Sequence, residues 1–295
     1  MYPQFGLDYI CRLFGKTRQG WYEQCENKED QALAGAIIIK LVKEIREQLP
    51  RLGTRKILHR LEPRLKEHGI KIGRDKLYDL LGYHGLLLRY RKRKPYTTNS
   101  NHPYKKYPNM IRELILTGPG QLWVCDITYL SLNDGFCYLS IVTDACSRKI
   151  VGWKLHLTLA AEGAIKALVM AINALKNKKS LIHHSDRGVQ YCCGDYVRML
   201  EYCNIQISMT ENGDPYENAI AERVNGILKN ELLLNQNFAS FEQAQQAVSH
   251  AITMYNEERP HSSCDMLTPA QAHEQNGILR KRWKPKSYKT KVKND

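Results

Sequence analysis

The chain has 295 residues, with 44 Lys+Arg against 30 Asp+Glu and 43% hydrophobic residues, a composition that excludes a disordered or collagen-like protein. Its longest apolar stretches, such as residues 32–39, fall far short of the roughly 20 residues a membrane span needs, and no basic region followed by an apolar run opens the chain. A soluble, cytoplasmic protein without a membrane partner is expected, its nine cysteines reduced: Cys125, Cys137 and Cys203 in the core, Cys192 and Cys193 buried beside a helix start.

The net charge of +14 is segregated along the chain. Residues 1–50 carry 7 basic and 7 acidic side chains, 51–110 carry 16 and 4, 111–278 carry 13 and 18, and 279–295 carry 8 and 1. An acidic block between basic arms predicts a folded core delivered to a polyanion, nucleic acid above all, by its flanks.

The first region, 1–88, reads as all-α. Helices are expected over 7–14, 18–24 and 36–49, the last stopped by Pro50. Gly53 and Thr54 open another, with Ile57, Leu58 and Leu61 on one face, and residues 73–81 form a third, closed by Gly82. Helix, glycine-containing turn and short basic helix is the pattern of a helix-turn-helix reader, with Arg74 and Lys76 at the end that meets base edges. A small helical bundle that binds nothing fits the same pattern. Residues 89–110 lose periodicity and form a basic linker. In it Arg91, Lys92, Arg93 and Lys94 are interleaved with tyrosines in a way that suits phosphate and base contacts, or a solvated tether.

From 111 to 278 the pattern becomes a mixed α/β sheet flanked by helices. Strands are expected over 121–132, 135–144 and 149–157, linked as hairpins, then a helix over 159–176 and a strand over 181–186. A helix over 195–204, a short strand over 206–209 and two further helices complete the domain, and the basic tail 279–295 frays.

Three carboxylates stand out. Asp126 interrupts the apolar strand Leu122-Trp123-Val124-Cys125-Asp126-Ile127 and shares a face with Val124 and Thr128, a costly position unless the acid is paired or metal-bound. Asp186 ends the strand beginning at Leu181, and ligand groups collect at the carboxyl ends of strands in such sheets. Glu222 lies on a helix expected to begin with Asp214 as N-cap, Pro215 and Glu217, about two turns in from that cap. On that helix Ile220, Val224 and Ile227 form the apolar stripe, while Asn218, Glu222, Asn225 and Lys229 share another face. Three carboxylates meeting at one point stay ionised only around a cation, and an oxygen-only set favours Mg²⁺ or Mn²⁺ over zinc. Two such ions can activate a water or a 3′-hydroxyl and stabilise the leaving oxygen of a phosphodiester.

Sixty positions separate Asp126 from Asp186, and thirty-five residues lie between Asp186 and Glu222. With Trp123-Val124-Cys125-Asp126-Ile127-Thr128-Tyr129, His183-His184-Ser185-Asp186-Arg187-Gly188, Glu222 with Leu228-Lys229, and Arg259-Pro260-His261, the chain resembles DDE transposases with a retroviral-integrase-like core, closest to the second-reading-frame product of the insertion-sequence-three family. That resemblance implies a ribonuclease-H-like fold, with Asp126, Asp186 and Glu222 as catalytic metal ligands for two Mg²⁺ or Mn²⁺ ions. It implies strand cleavage followed by transfer of a 3′-hydroxyl to target DNA by a homo-oligomer on double-stranded DNA in the bacterial nucleoid. Lys229 is similar to the family lysine that contacts DNA, and a solvated helix lysine fits it nearly as well. His184 and Gln190 are expected to brace the loop of Asp186, Asp144 to be non-catalytic, and the Arg259 run to act as a structural lock. Where many relatives have Ser-Phe after the glutamate, Arg223-Val224-Asn225-Gly226 follows here. No His-His-Cys-Cys module precedes the core, so no structural zinc is expected. Relatives are often made as a fusion with an upstream frame that supplies a coiled coil, and no long heptad pattern occurs here. A nuclease of the same fold that only cuts, and a transposase-derived DNA-binding regulator without catalysis, are the competing readings.

Overall fold

The computed structural model describes residues 6–88, 103–175, 180–211 and 218–283, which divide into two units. The first carries α1 (Leu7–Leu13), α2 (Arg18–Gln48), α3 (Thr54–Glu67) and α4 (Arg74–Tyr83). α2 is one helix of 31 residues where two shorter ones are expected. The intervening stretch is polar but holds no proline, and its Glu, Lys, Gln and Ala residues favour helix, so nothing breaks the chain. Only the C-terminal half of α2 is apolar enough to bury a face, through Ile38, Leu41, Val42 and Ile45, and α3 packs against it with Ile57, Leu61 and Leu65 inward. α4 runs past Gly82, and the stop comes at Gly85: its φ of 64° lets the Leu86 N–H bond back to the Leu81 carbonyl at 2.7 Å.

The second unit is built on a mixed sheet of β1 (Leu122–Leu132), β2 (Gly135–Asp144), β3 (Ile150–His156), β4 (Ile182–Ser185), β5 (Gln206–Met209) and β6 (Asn237–Phe238). The strand order is β3-β2-β1-β4-β5, with β6 beside the far end of β1. β1 pairs antiparallel with β2 over its whole length and parallel with β4 and β6, and β4 pairs parallel with β5. Helices cover both faces: α5 (Ala161–Asn173), α6 (Val189–Cys192) and α7 (Gly194–Tyr202) on one, α8 (Ala219–Asn230) and α9 (Phe241–Thr253) on the other. A π-helical turn at Met254–Glu258 and α10 (Pro269–His273) follow. This is the expected architecture.

Period-two alternation along β1 decides which side chain meets which layer. Trp123 and Cys125 join α5 and α7 in one core, whereas Leu122 and Val124 meet Ala221 of α8, and Leu130 meets its Val224, Ile227 and Leu228. α5 comes so close to β3 that only a glycine fits at residue 152: a Cβ there would lie 2.1 Å from the Ala167 carbonyl oxygen. The open edge of β5 is covered by the chain entering the domain, through Met209 N–H to the Pro108 carbonyl at 3.3 Å and Met110 N–H to Ser208 Oγ at 2.9 Å.

Several elements differ from expectation. β6, α6, the π-helical turn and α10 span two to five residues each, too few for a periodic pattern. α8 begins at Ala219 with Asn218 as N-cap, while Asp214, Pro215 and Glu217 lie outside the described residues. Glu222 is in the first turn of the described helix. Cys125 and Cys137 are buried, but Cys203, at the C-cap of α7, is only partly so. Cys192 is buried, and the partly exposed Cys193 is the N-cap of α7. Among the described residues no helix is long and apolar enough to cross a membrane.

Candidate active site

β4 pairs with β1 as far as Val124 opposite His184. Asp186 directly follows β4, the strand that neighbours β1, which carries Asp126. The two acids act on each other. Asp126 is pushed up to about 7, first by burial of its carboxyl and next by the charge of Asp186, with a smaller push from Glu222. Asn225 Nδ2, donating to Oδ2 at 2.7 Å, and the Ile127 N–H, donating to Oδ1 at 2.9 Å, pull the other way. Glu222 stands exposed on α8. Among the described residues no group of three or more His, Cys, Asp or Glu side chains is gathered closely enough to hold a metal ion. The fold thus brings Asp126 and Asp186 together and leaves Glu222 outside a closed set of three.

The loop carrying Asp186 is braced from several sides. Its Oδ1 accepts the Gly188 N–H at 3.0 Å, and a Cβ on residue 188 would lie 3.0 Å from that oxygen, so glycine permits the close approach. Gln190 Nε2 donates to the Leu159 carbonyl at 2.8 Å, tying the loop to the start of α5. His184 Nδ1 meets Ser208 Oγ at 2.9 Å and joins β4 to β5. Beneath them His183 Nε2 meets the Tyr196 hydroxyl at 2.8 Å, and burial pushes this imidazole down to about 3, keeping it neutral. The histidines of this strand brace the site.

Residues 117–215 match the integrase core domain family, and residues 203–269 match a second family of the same description. The chain is 34% identical over 265 residues to an uncharacterized 31 kDa protein of insertion element IS600 from Shigella sonnei, covering 88% of this chain and 96% of that protein. It is 30% identical over 275 residues to transposase InsF for insertion sequence IS3A of Escherichia coli K12, covering 92% and 96%. The chain belongs to the IS3 transposase family. Two solved structures are also similar. The HTLV-2 integrase catalytic core domain in complex with magnesium has a TM-score of 0.43 at 20% identity, covering 53% of this chain and 97% of that one. The simian T-cell lymphotropic virus intasome has 0.46 at 20%, covering 81% and 80%.

In this transposase Lys229 lies one helical turn along from Asn225, its Nζ 4.2 Å from the ring centroid of Tyr129. Burial lowers its pKa while the charge of Asp126 raises it, so the ammonium is within electrostatic reach of Asp126. Tyr129 and Phe136 form an exposed edge-to-face pair with centroids 5.3 Å apart. Asp144, the last residue of β2 where a turn residue is expected, is fully buried and accepts the Gly120, Cys146 and Ser147 N–H groups and the Ser147 hydroxyl. Arg259 is 1% exposed and bonds Glu231, the C-cap of α8, through Nε at 2.9 Å and Nη2 at 2.8 Å. That pair locks the turn after α9 to the end of the helix bearing Glu222.

In the helical unit Arg74 and Lys76 occupy the exposed first turn of α4, with Arg74 Nε 2.8 Å from Asp75 Oδ1. Arg91, Lys92, Arg93 and Lys94 lie outside the described residues. Sequence reasoning assigns no role to Tyr129, Asn218 or Asn225. The available signal for the asparagines was their interval of four and three residues from Glu222 on one helical face.

Proposed function

We propose that this transposase is a DDE-type polynucleotidyl transferase that cleaves DNA at the ends of its element and transfers the 3′-hydroxyl to target DNA. The observation that carries the reading is the pair of acids, one within β1 and one just after the neighbouring β4, in which burial and Asp186 raise Asp126 to about 7. Such a pair fits a hard divalent cation: all donors are oxygen, and positive charge relieves the repulsion that otherwise favours the proton. Asp126, Asp186 and Glu222 would hold two Mg²⁺ or Mn²⁺ ions, which supply activation of the attacking oxygen and stabilisation of the leaving one. Glu222, exposed in the first turn of α8, would complete the ligand set. Asn225 keeps Asp126 oriented and ionised. Lys229 neutralises a phosphate of the bound strand, held back from the carboxylates by the Tyr129 ring.

Arg74 and Lys76 read or grip duplex DNA from the helical unit, and Arg91, Lys92, Arg93 and Lys94 follow the backbone between the units. The chain acts as a homo-oligomer on paired element ends, as the product of a second reading frame with an upstream-frame protein as fusion or partner, in the cytoplasm beside the nucleoid.

The test is a Mg²⁺-dependent assay on labelled element-end DNA, comparing the wild-type chain with Glu222→Gln. Joined donor and target DNA that disappears in the variant is the expected result. Cut products without joining would replace the reading with a nuclease, and DNA binding indifferent to metal with no products would replace it with a regulator.

A further inference from the structure

β1 is 11 residues long, yet β4 lines its edge only from Leu122 to Val124 and β6 only at Ser131 and Leu132. On that edge the stretch between has no strand partner, and Asp126 lies there. An edge without a partner leaves backbone groups to be satisfied by something else. Helix α8 supplies a side chain: Asn218 Nδ2 donates to the Cys125 carbonyl at 3.0 Å, one residue before Asp126.

Two features make this contact more than packing. Asn218 is the N-cap of α8, a position where asparagine ordinarily accepts a backbone N–H of the first turn, yet its side chain makes no capping bond. Its amide goes across to β1 instead. The residue is 7% exposed, and its Oδ1 is buried with no hydrogen-bond partner. A buried amide with an unsatisfied oxygen is costly, so the donor end carries the reason for asparagine here.

We propose that Asn218 is a positioning residue that ties the first turn of α8, and with it Glu222, to the backbone of β1 beside Asp126. Glu222 follows Asn218 by four residues, one helical turn, so a helix start fixed to Cys125 fixes the height of the glutamate over the two aspartates. Asn225, bonding Asp126 itself, is the second attachment between the same two elements. The proposal rests on the reading of Asp126, Asp186 and Glu222 as metal ligands.

The experiment is an electron paramagnetic resonance titration of Mn²⁺ with the full chain, its Asn218→Ser and Asn218→Gln variants and Asp126→Asn. Serine is as good an N-cap but too short to reach Cys125, whereas glutamine keeps the donor on a longer arm. Mn²⁺ binding weaker by about 10- to 100-fold in Asn218→Ser, with unchanged far-UV dichroism, and recovered in part by Asn218→Gln, is the expected result. Wild-type affinity in Asn218→Ser, a loss that glutamine does not restore, or unfolding of the serine variant would each overturn it. If Asp126→Asn binds Mn²⁺ as the wild type does, the ligand reading itself falls and takes the proposal with it. Loss of binding in Asp126→Asn with none in Asn218→Ser isolates the failure to Asn218.

Discussion

The raised pKa of Asp126 makes its replacement by asparagine a stability experiment as much as a catalytic one. On folding, the carboxyl moves from an ordinary 3.8 to about 7, so its folded value lies above its unfolded one. The penalty for holding the charge is therefore absent below pH 4, grows between pH 4 and 7 and is complete above 7. At about 1.4 kcal/mol for each tenfold change, the upper bound is about 4 kcal/mol, and solvent reaching this partly exposed residue screens it to about 1–2 kcal/mol. Asp126→Asn keeps one acceptor, for Asn225 Nδ2, gives up the one that takes the Ile127 N–H, and removes the charge. In EDTA at pH 8 the variant should melt about 2–8 °C above the wild type, for a domain of this size. At pH 5 the gain should shrink to under half. Mg²⁺ should then reverse the order, stabilising the wild type and leaving the variant unmoved. An unchanged or lowered melting temperature at pH 8 without metal, or an equal gain at both pH values, would refute the argument that burial and Asp186 burden this carboxylate.

Two further predictions concern the frame around the site. Arg259→Met leaves the Glu231 carboxylate without its buried guanidinium partner, and urea unfolding should report a loss of about 3 kcal/mol, the low end for a broken buried pair because Glu231 keeps some solvent contact; a loss under about 1 kcal/mol would mean that the pair is not holding α8. Gly152→Ala sets a Cβ against backbone, 2.1 Å from the Ala167 carbonyl oxygen and 2.9 Å from the Ala171 nitrogen. Because α5 must lift from β3 to admit it, the cost should exceed the roughly 1–3 kcal/mol of ordinary overpacking, and a variant as stable as the wild type in urea would contradict that close approach.

Much of the catalytic core was legible in the chain because its elements are long and regular. β1, β2 and β3 alternate over 7 to 11 residues around short turns, and the apolar stripe of α8 repeats at helical spacing. The oddity of an acid inside an apolar strand pointed to Asp126, and the position of Asp186 at a strand end followed from the same reading. The continuity of α2 was not legible, because a polar run without proline looks like a linker until the helix is seen to pass through it. The start signal Asp-Pro-x-Glu lies outside the described residues, and the described part of α8 begins at Ala219, preceded by Asn218, whose side chain serves β1 rather than the helix.

The sequence by itself determined the longer strands and helices of the core, since each depends on neighbours within a few residues, and the charge segregation along the chain. Tertiary structure alone decided what surrounds the acids. β6 is two residues long and exists because the end of β1 offers it a partner. The bonds from Asn218 to Cys125 and from Asn225 to Asp126 join residues 93 and 99 positions apart, and the lock between Arg259 and Glu231 spans 28. No local pattern encodes such pairs, because a side-chain amide or guanidinium finds its partner only after the sheet register and helix packing have set where each backbone lies.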